Sequence, residues 1–134
     1  MSVSIEIPVR IYIEDTDAAG IVYYVNYLKF MERARTELLR SLGYGKAAFF
    51  AEGLMFVVHS MQINYRAAAQ LDDELIVSAG VKKVTPAAVI FAQTIKRGEQ
   101  VLCEGDVKVA CASRETHKPQ AIPEQVYAQL TLNS

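Results

Sequence analysis

Glu14-Asp15-Thr16-Asp17-Ala18-Ala19-Gly20-Ile21-Val22-Tyr23-Tyr24-Val25-Asn26-Tyr27 joins two segments of different hydrophobic period, and that change of period sets the fold. Ahead of it, Val9-Arg10-Ile11-Tyr12-Ile13 alternates and is rich in β-formers, so a strand is expected. Behind it, Tyr27, Phe30, Met31, Ala34, Leu38 and Leu42 recur three or four apart, with Lys29, Glu32, Arg33, Glu37 and Arg40 largely between them. That spacing predicts one long amphipathic helix. Gly43 is its expected stop. Asn26 is the candidate N-cap, although Ile21 to Val25 can already wind into a first turn. On either boundary, backbone N–H groups without helical partners lie just after Asp17.

Such amides carry partial positive charge, which favours the oxyanion that develops when a thioester or ester carbonyl becomes tetrahedral. A carboxylate beside them completes a minimal hydrolase. Asp17 can attack the carbonyl itself or draw a proton from water. Gly20 suits the sharp turn between acid and helix, because it alone reaches positive φ cheaply. A bland alternative exists: acidic, glycine-bearing loops between strand and helix are common. Calcium is a poor fit. Asp15, Asp17 and Gly20 match positions one, three and six of an EF-hand loop, but Ala19 and Asn26 stand where the third oxygen ligand and the bidentate glutamate belong.

Asp15-Thr16-Asp17-x-x-Gly20-x-Val22-Tyr23-Tyr24-x-Asn26-Tyr27, followed by Glu32-Arg33-Ala34-Arg35-Thr36-Glu37, resembles the signature of hotdog-fold acyl-CoA thioesterases. The closest groups are the Tol-Pal-associated thioesterases and 4-hydroxybenzoyl-CoA thioesterase. Met61-x-x-x-Tyr65 and Ala69-x-Leu71-Asp72-Asp73-x-Leu75 extend the likeness over nearly the whole chain. The resemblance implies that Asp17 carries the chemistry. It further implies that the amide near Tyr24 polarises the carbonyl, with Gly20, Val22 and Tyr23 shaping the oxyanion and substrate site. It implies a homodimer or homotetramer whose sites are completed by the neighbouring protomer, and no metal or cofactor beyond the CoA thioester itself. Some Tol-Pal-associated members have histidine where this chain has Tyr24, so a mechanism needing an imidazole there does not transfer.

With 134 residues, 51% hydrophobic and 22% charged, the chain has the size of a single domain spanning 1–134. A net charge of -1 leaves no footprint for nucleic acid. Lys82-Lys83 and Lys96-Arg97 are too short to hold a membrane surface and read as solvated strand ends. Met1 to Pro8 contains Glu6 and no long apolar run, so no signal peptide is expected. No apolar stretch approaches the roughly 20 residues of a membrane span. A cytoplasmic location follows as the expectation, with Cys103 and Cys111 as free, buried strand thiols.

The remainder is expected to be mostly strand. Phe56 to Arg66 alternates, with Val57, Met61, Ile63 and Tyr65 on one face and Ser60, Gln62, Asn64 and Arg66 on the other. Leu75 to Val84, Val89 to Arg97 and Val101 to Ala112 follow, separated by Thr85-Pro86 and Arg97-Gly98-Glu99, turns short enough to force antiparallel neighbours. Their apolar parities are Leu75, Val77, Ala79, Val81; Val89, Phe91, Ile95; and Val101, Cys103, Val107, Val109, Cys111, the pattern of a sheet with one fully buried face. Residues 46 to 52 predict a short helix or turn that is either a pocket wall or a lid. Glu124 to Leu130 predict a terminal helix after Pro123. The expected class is α+β: an antiparallel sheet of about five strands wrapped around one long helix, the hotdog arrangement.

Other chemistry finds little support in the residues. No serine lies in a Gly-x-Ser-x-Gly elbow, no glycine-rich phosphate loop follows a strand, and His59 and His117 lack ligand spacing. Surface Lys and Arg would have to hold the CoA phosphates. His59 shares parity with Val57 and Met61, which predicts a core or interface histidine. Tyr12, Tyr23 and Tyr27 read as core or pocket-wall aromatics. Strand alternation would aim Asp15 the same way as Asp17, either to tune it or to cap, and the structural role is preferred. A non-catalytic acyl-CoA or acyl-carrier-protein binding module is the second reading. Asp17 and Gly20 speak against it, since a pure binder gains nothing from a carboxylate beside the carbonyl. A dehydratase is a third, but its histidine has no counterpart in this loop.

Overall fold

In the computed structural model, which describes residues 4–43 and 53–132, strands β1 (Ser4–Arg10), β2 (Leu54–Tyr65), β3 (Glu74–Thr85), β4 (Ala88–Arg97) and β5 (Gln100–Ser113) form one antiparallel sheet. Its order is β1-β3-β4-β5-β2. Helix α1 (Val25–Ser41) crosses one face and packs mainly on β3, β1 and β4. A second helix, α2 (Glu124–Leu132), buries Val126 and Leu130. The α+β hotdog architecture is therefore the observed one. Among the described residues, no helix is long and apolar enough to cross a membrane.

The periodic side chains do what their spacing predicts. Tyr27, Phe30, Met31, Ala34 and Leu38 are all buried against Leu75, Val77, Ala79, Phe91 and Ile95 of the sheet. Each large side chain so buried stabilises the fold by about 1.5–3 kcal/mol. Gly43 ends the helix at φ +88, donating its N–H to the Arg40 carbonyl at 2.9 Å. The segment 46–52 lies outside the described residues.

Several expectations need correction. The first strand runs Ser4–Arg10 rather than 9–13, because Ile13–Asp15 winds into a 3-10 turn and the Asp15 carboxylate accepts the Tyr12 N–H at 2.9 Å. The helix starts at Val25, so Asn26 lies inside its first turn instead of capping it.

In β2, a bulge at His59 inverts the alternation: Phe56 and Val58 oppose Cys111 and Val109, while Met61, Ile63 and Tyr65 oppose Val107, Gly105 and Cys103. Phe56 and Val58 thus share the inner face with Met61, Ile63 and Tyr65, and Val57 faces outward. His59 itself is exposed, not core.

A second bulge in β5 makes Leu102 the fully buried residue where Val101 was expected. Nor is the inner face buried throughout. Val58, Met61 and Tyr65 on the edge strand β2 remain 42%, 39% and 45% exposed, because α1 does not reach that far.

Gly105 is what lets β2 lie this close to β5. A Cβ there would stand 2.2 Å from the Gln62 carbonyl oxygen and 2.6 Å from Ile63 Cδ1. The first obstacle is backbone, so no rotamer change relieves it. Gly105→Ala is expected to cost about 1–3 kcal/mol, read as a lower thermal midpoint, whereas Glu104→Ala next to it, whose salt bridge with Arg66 is exposed, should cost about 1 kcal/mol or less.

Candidate active site

Residues 15–17 fold back alongside residues 21–23, immediately ahead of α1. Thr16 and Val22 form an antiparallel bridge, the Asp17 N–H donates to the Ile21 carbonyl at 2.9 Å, and the Tyr23 N–H donates to the Asp15 carbonyl at 3.0 Å. Gly20, at φ +81, closes the turn, with its N–H on the Asp17 carbonyl at 3.0 Å. The left-handed geometry explains why glycine stands there. This loop, not a strand, carries the acids, so the alternation argument that paired Asp15 with Asp17 fails.

The two aspartates are held differently. Asp15 is structural: Oδ2 accepts the Tyr12 N–H and Oδ1 accepts Asn26 Nδ2 at 2.9 Å, which ties the loop to the first turn of α1. Asp17 is exposed and uses Oδ1 to accept the Ala19 N–H at 2.8 Å. Its Oδ2 has no hydrogen bond among the described residues. One oxygen fixes the carboxylate and the other is unengaged among the described residues.

Amide bookkeeping narrows the oxyanion donors. The Gly20, Val22 and Tyr23 N–H groups are all committed, to Asp17, Ala69 and Asp15 carbonyls respectively. Asn26 and Tyr27 donate to the Tyr23 and Tyr24 carbonyls in a tight first turn. The amides of Tyr24 and Val25 are left without an acceptor among the described residues. Tyr24 is therefore the expected donor that the geometry leaves available. The Val22 side chain is buried, so it anchors the loop rather than lining an open surface.

Tyrosines surround this helix start. The Tyr24 ring meets Tyr23 edge-on at 5.0 Å and Tyr65 at 6.0 Å, and Tyr65 lies 5.7 Å from Tyr27. Tyr27 is core, but Tyr12 and Tyr23 are exposed, which corrects the core reading of those two; Tyr12 lines a pocket with Arg10, Glu14 and Leu71, as the pocket-wall reading expects. Burial pushes the Tyr27 and Tyr65 hydroxyls above the ordinary phenol range, so both remain protonated.

The loop is braced from behind. The Tyr27 hydroxyl accepts the Ala69 N–H at 2.9 Å, the Ala69 carbonyl accepts the Val22 N–H at 2.9 Å, and Gln70 bridges to Ile21. Asp73 in turn accepts the Gln70 N–H at 2.8 Å and Arg97 Nη1 at 2.6 Å. Burial would raise the Asp73 pKa, but the Gln70 amide and the Arg97 guanidinium outweigh it and hold the carboxyl below its ordinary range. The second motif is thus a clamp on the first.

Cys103 and Cys111 are buried and free. Burial, helped by Glu104, pushes the Cys103 thiol up to about 11, and burial also raises Cys111, so neither is a nucleophile at neutral pH. Neither histidine lies in the loop, and among the described residues no three His, Cys, Asp or Glu side chains converge as metal ligands would.

One buried polar pair was missed. Arg35 and Gln93, 8% and 2% exposed, hydrogen-bond at 2.9 Å within the core. The signal was present: Arg35 sits at helical spacing from Met31 and Leu38, and Gln93 interrupts the Val89, Phe91, Ile95 parity.

A family model described as thioesterase-like superfamily matches residues 11–130. The chain is 46% identical over 122 residues to the acyl-CoA thioesterase YbgC of Haemophilus influenzae, covering 90% of each. It is 41% identical over 123 residues to the acyl-CoA thioester hydrolase YbgC of Escherichia coli O6:H1, covering 91% of this chain and 92% of the relative. The crystal structure of a probable thioesterase from Bartonella henselae superposes with a TM-score of 0.84 at 34% identity, covering 90% of this chain and 99% of that one.

Because the folded Asp73 pKa is depressed, its stabilising contribution is present above the unfolded value and disappears as pH falls through the folded one. The melting temperature of the wild type should therefore drop more steeply than that of Asp73→Asn as pH is lowered from about 5 to about 2. Parallel slopes in a pH series of melts would remove Asp73 from the clamp.

Proposed function

Since the chain belongs to the thioesterase-like superfamily, we propose that it is an acyl-CoA thioesterase hydrolysing short-chain or aromatic acyl-CoA. Asp17 is the nucleophile or general base, and the start of α1 is the oxyanion site. The observation that supports this reading is that Asp17 keeps one carboxylate oxygen unengaged, and Tyr24 and Val25 keep their amides unengaged, among the described residues of a loop whose arms are joined by the Thr16–Val22 bridge.

Two routes use this arrangement. In the first, Asp17 Oδ2 attacks the thioester carbon, the Tyr24 N–H receives the oxyanion, and collapse expels the CoA thiolate. That leaves an acyl-aspartyl anhydride, which water then cleaves to the free acid. In the second, Asp17 takes a proton from water as the water attacks. Collapse of the same tetrahedral species breaks the C–S bond, and the proton passes to the departing thiolate. Neither route calls for a metal or cofactor. Single turnover in ¹⁸O-water, with acid quench and mass spectrometry of the protein, separates them: label in Asp17 or a trapped acyl-Asp17 adduct marks the anhydride route, and label in the acid with neither of these marks direct attack by water.

A second copy of the chain belongs to the proposal. Of the two sheet edges, β1 is blunted by Pro8, whereas β2 is twelve residues long, contains no proline, and presents exposed Val58, Met61 and Tyr65 beside Tyr24. Pairing there joins two sheets and encloses the aromatic rim of the site, in a homodimer or, by further stacking, a homotetramer. Sedimentation should give a multiple of the 14.9 kDa chain mass, and a monomer at micromolar concentration would refute this part.

The central test supplies butyryl-CoA and benzoyl-CoA and follows release of free thiol. Asp17→Asn should lower kcat by at least about 10²-fold with an unchanged melting temperature. Full turnover in that variant would end the assignment. Acylated carrier protein as the alternative thiol donor would show itself by a higher kcat/KM than the matching acyl-CoA.

A further inference from the structure

Asp15 stands two residues before Asp17 and joins three parts of the chain. Its N–H donates to the Tyr12 carbonyl at 2.9 Å and its Oδ2 accepts the Tyr12 N–H at 2.9 Å, which closes the 3-10 turn onto itself. Its carbonyl accepts the Tyr23 N–H at 3.0 Å. Its Oδ1 accepts Asn26 Nδ2 at 2.9 Å. The last two contacts fall on either side of Tyr24 and Val25, the residues whose amides are unengaged among the described residues.

Tyr23 and Asn26 are also bonded to each other, since the Asn26 N–H donates to the Tyr23 carbonyl at 2.8 Å. Residues 23–26 thus form one turn held at both ends by a single residue, once through its backbone and once through its carboxylate. Asn26 is available for this because it lies inside the first turn of α1 instead of capping it. The Tyr23 to Asp15 and Asp17 to Ile21 amide bonds, with the Thr16–Val22 bridge between them, zip the arm carrying Asp17 to the arm that leads into the helix. The Asp15–Asn26 bond carries that register past the end of the zip and into α1. Among the described residues it is the one side-chain hydrogen bond from residues 15–17 to the helix. It is part-buried and joins positions eleven apart, so a rotation of the loop against the helix start breaks it.

We propose that Asp15 and Asn26 are positioning residues for thioester cleavage, their hydrogen bond setting the orientation of the Tyr24 and Val25 amides relative to the arm that carries Asp17. This inference rests on the reading of the Asp17 loop as the catalytic site. Neither residue acts on the reacting atoms. Their contribution is preorganisation: donors already aimed need no reorientation as the oxyanion forms. A misplacement of about 1 Å can cost roughly 10²-fold in rate, so a bond of modest worth to the fold matters more to turnover than to stability. The pair is also reversible. An asparagine at position 15 keeps an oxygen for the Tyr12 N–H and turns an N–H towards position 26, where an aspartate accepts it.

Thiol release from butyryl-CoA and benzoyl-CoA, with a thermal melt of each variant, is the test. Asn26→Leu keeps a helix former and removes the donor; it should lower kcat about tenfold with KM within about twofold and a melting temperature within about 4 °C of wild type. Asn26→Asp should lower kcat at least as much, because two carboxylates then face each other, while an acid in the first turn suits the helix macrodipole and retains the fold. Asp15→Asn added to Asn26→Asp reverses donor and acceptor, and should raise kcat at least about fivefold over Asn26→Asp alone. A bond that serves the fold only would lower the melting temperature and leave kcat unchanged. Unchanged kcat in Asn26→Leu, a rise in KM in place of the fall in kcat, or no recovery in the reversed pair would overturn the proposal. Should Asn26→Leu fail to fold, the reversed pair against Asn26→Asp decides. A wild type that releases no thiol would end the reading of the Asp17 loop and this proposal with it, whereas wild-type turnover that is undiminished in Asn26→Leu would end this proposal alone.

Discussion

The phenolic oxygen of Tyr27 is where helix, loop and sheet are tied together. The ring is buried with the apolar stripe of α1, so burying that stripe fixes its position, and the hydroxyl accepts the Ala69 N–H. Through the Ala69 carbonyl the same contact reaches Val22, and through Val22 the bridge to Thr16, the neighbour of Asp17 in the loop that leads into α1. A net contribution of only about 1 kcal/mol from such a hydrogen bond understates its importance. Its effect is geometric: the packing energy of a seventeen-residue helix is used to position a seven-residue loop that has little packing of its own. Asp17 itself is exposed, so nothing about its own burial keeps it in place.

This dependence explains which features were legible in the sequence. α1 could be read because Tyr27, Phe30, Met31, Ala34 and Leu38 face a single core, and helical periodicity reports such a face directly. β3 and β4 could be read because both lie under the helix and alternate cleanly over Leu75 to Val81 and Val89 to Ile95. Parity broke down where an extra residue was inserted. His59 in β2 and Leu102 in β5 each shift the register by one, and neither bulge has a composition that marks it in advance. The 3-10 turn at Ile13–Asp15 was hidden for a related reason: it is set by one carboxylate folding onto one amide, a contact that competes with strand pairing and leaves no periodic trace. In the candidate site, Asp17, Gly20 and Tyr24 were named from motif and turn chemistry. What was not legible was that the Gly20, Val22 and Tyr23 amides are already engaged, because hydrogen-bond partners depend on the fold-back of 15–17 on 21–23.

The sheet divides unevenly under its helix. Its β1, β3 and β4 side is covered by α1, while the β5 and β2 side keeps part of its apolar inner face open. Five strands are wider than one helix of about 10–12 Å diameter can cover, since neighbouring strands stand about 4.8 Å apart. The uncovered strip runs from Tyr65 near the Asp17 loop to Phe56 near Leu39, antiparallel to α1. The tyrosine cluster at the helix start and the pocket lined by Arg35 and Leu39 both lie along it, so both border apolar surface that the architecture leaves over.

Within that strip the polar groups follow a rule of their own. Gln93 could be replaced by an aliphatic residue with no loss of hydrophobic packing, but the Met31 and Ser78 carbonyls would then lose a donor, and Arg35 its only acceptor among the described residues. Arg35 could likewise be an aliphatic residue at that helical spacing, matching Met31 and Leu38. Retaining a charge there makes the fold harder to stabilise, because removing a guanidinium from water costs several kcal/mol before any partner is found. The network does not offset that cost within the described residues, since it satisfies the amide of Gln93 fully and the cation only in part. Stability within the described residues therefore does not account for Arg35.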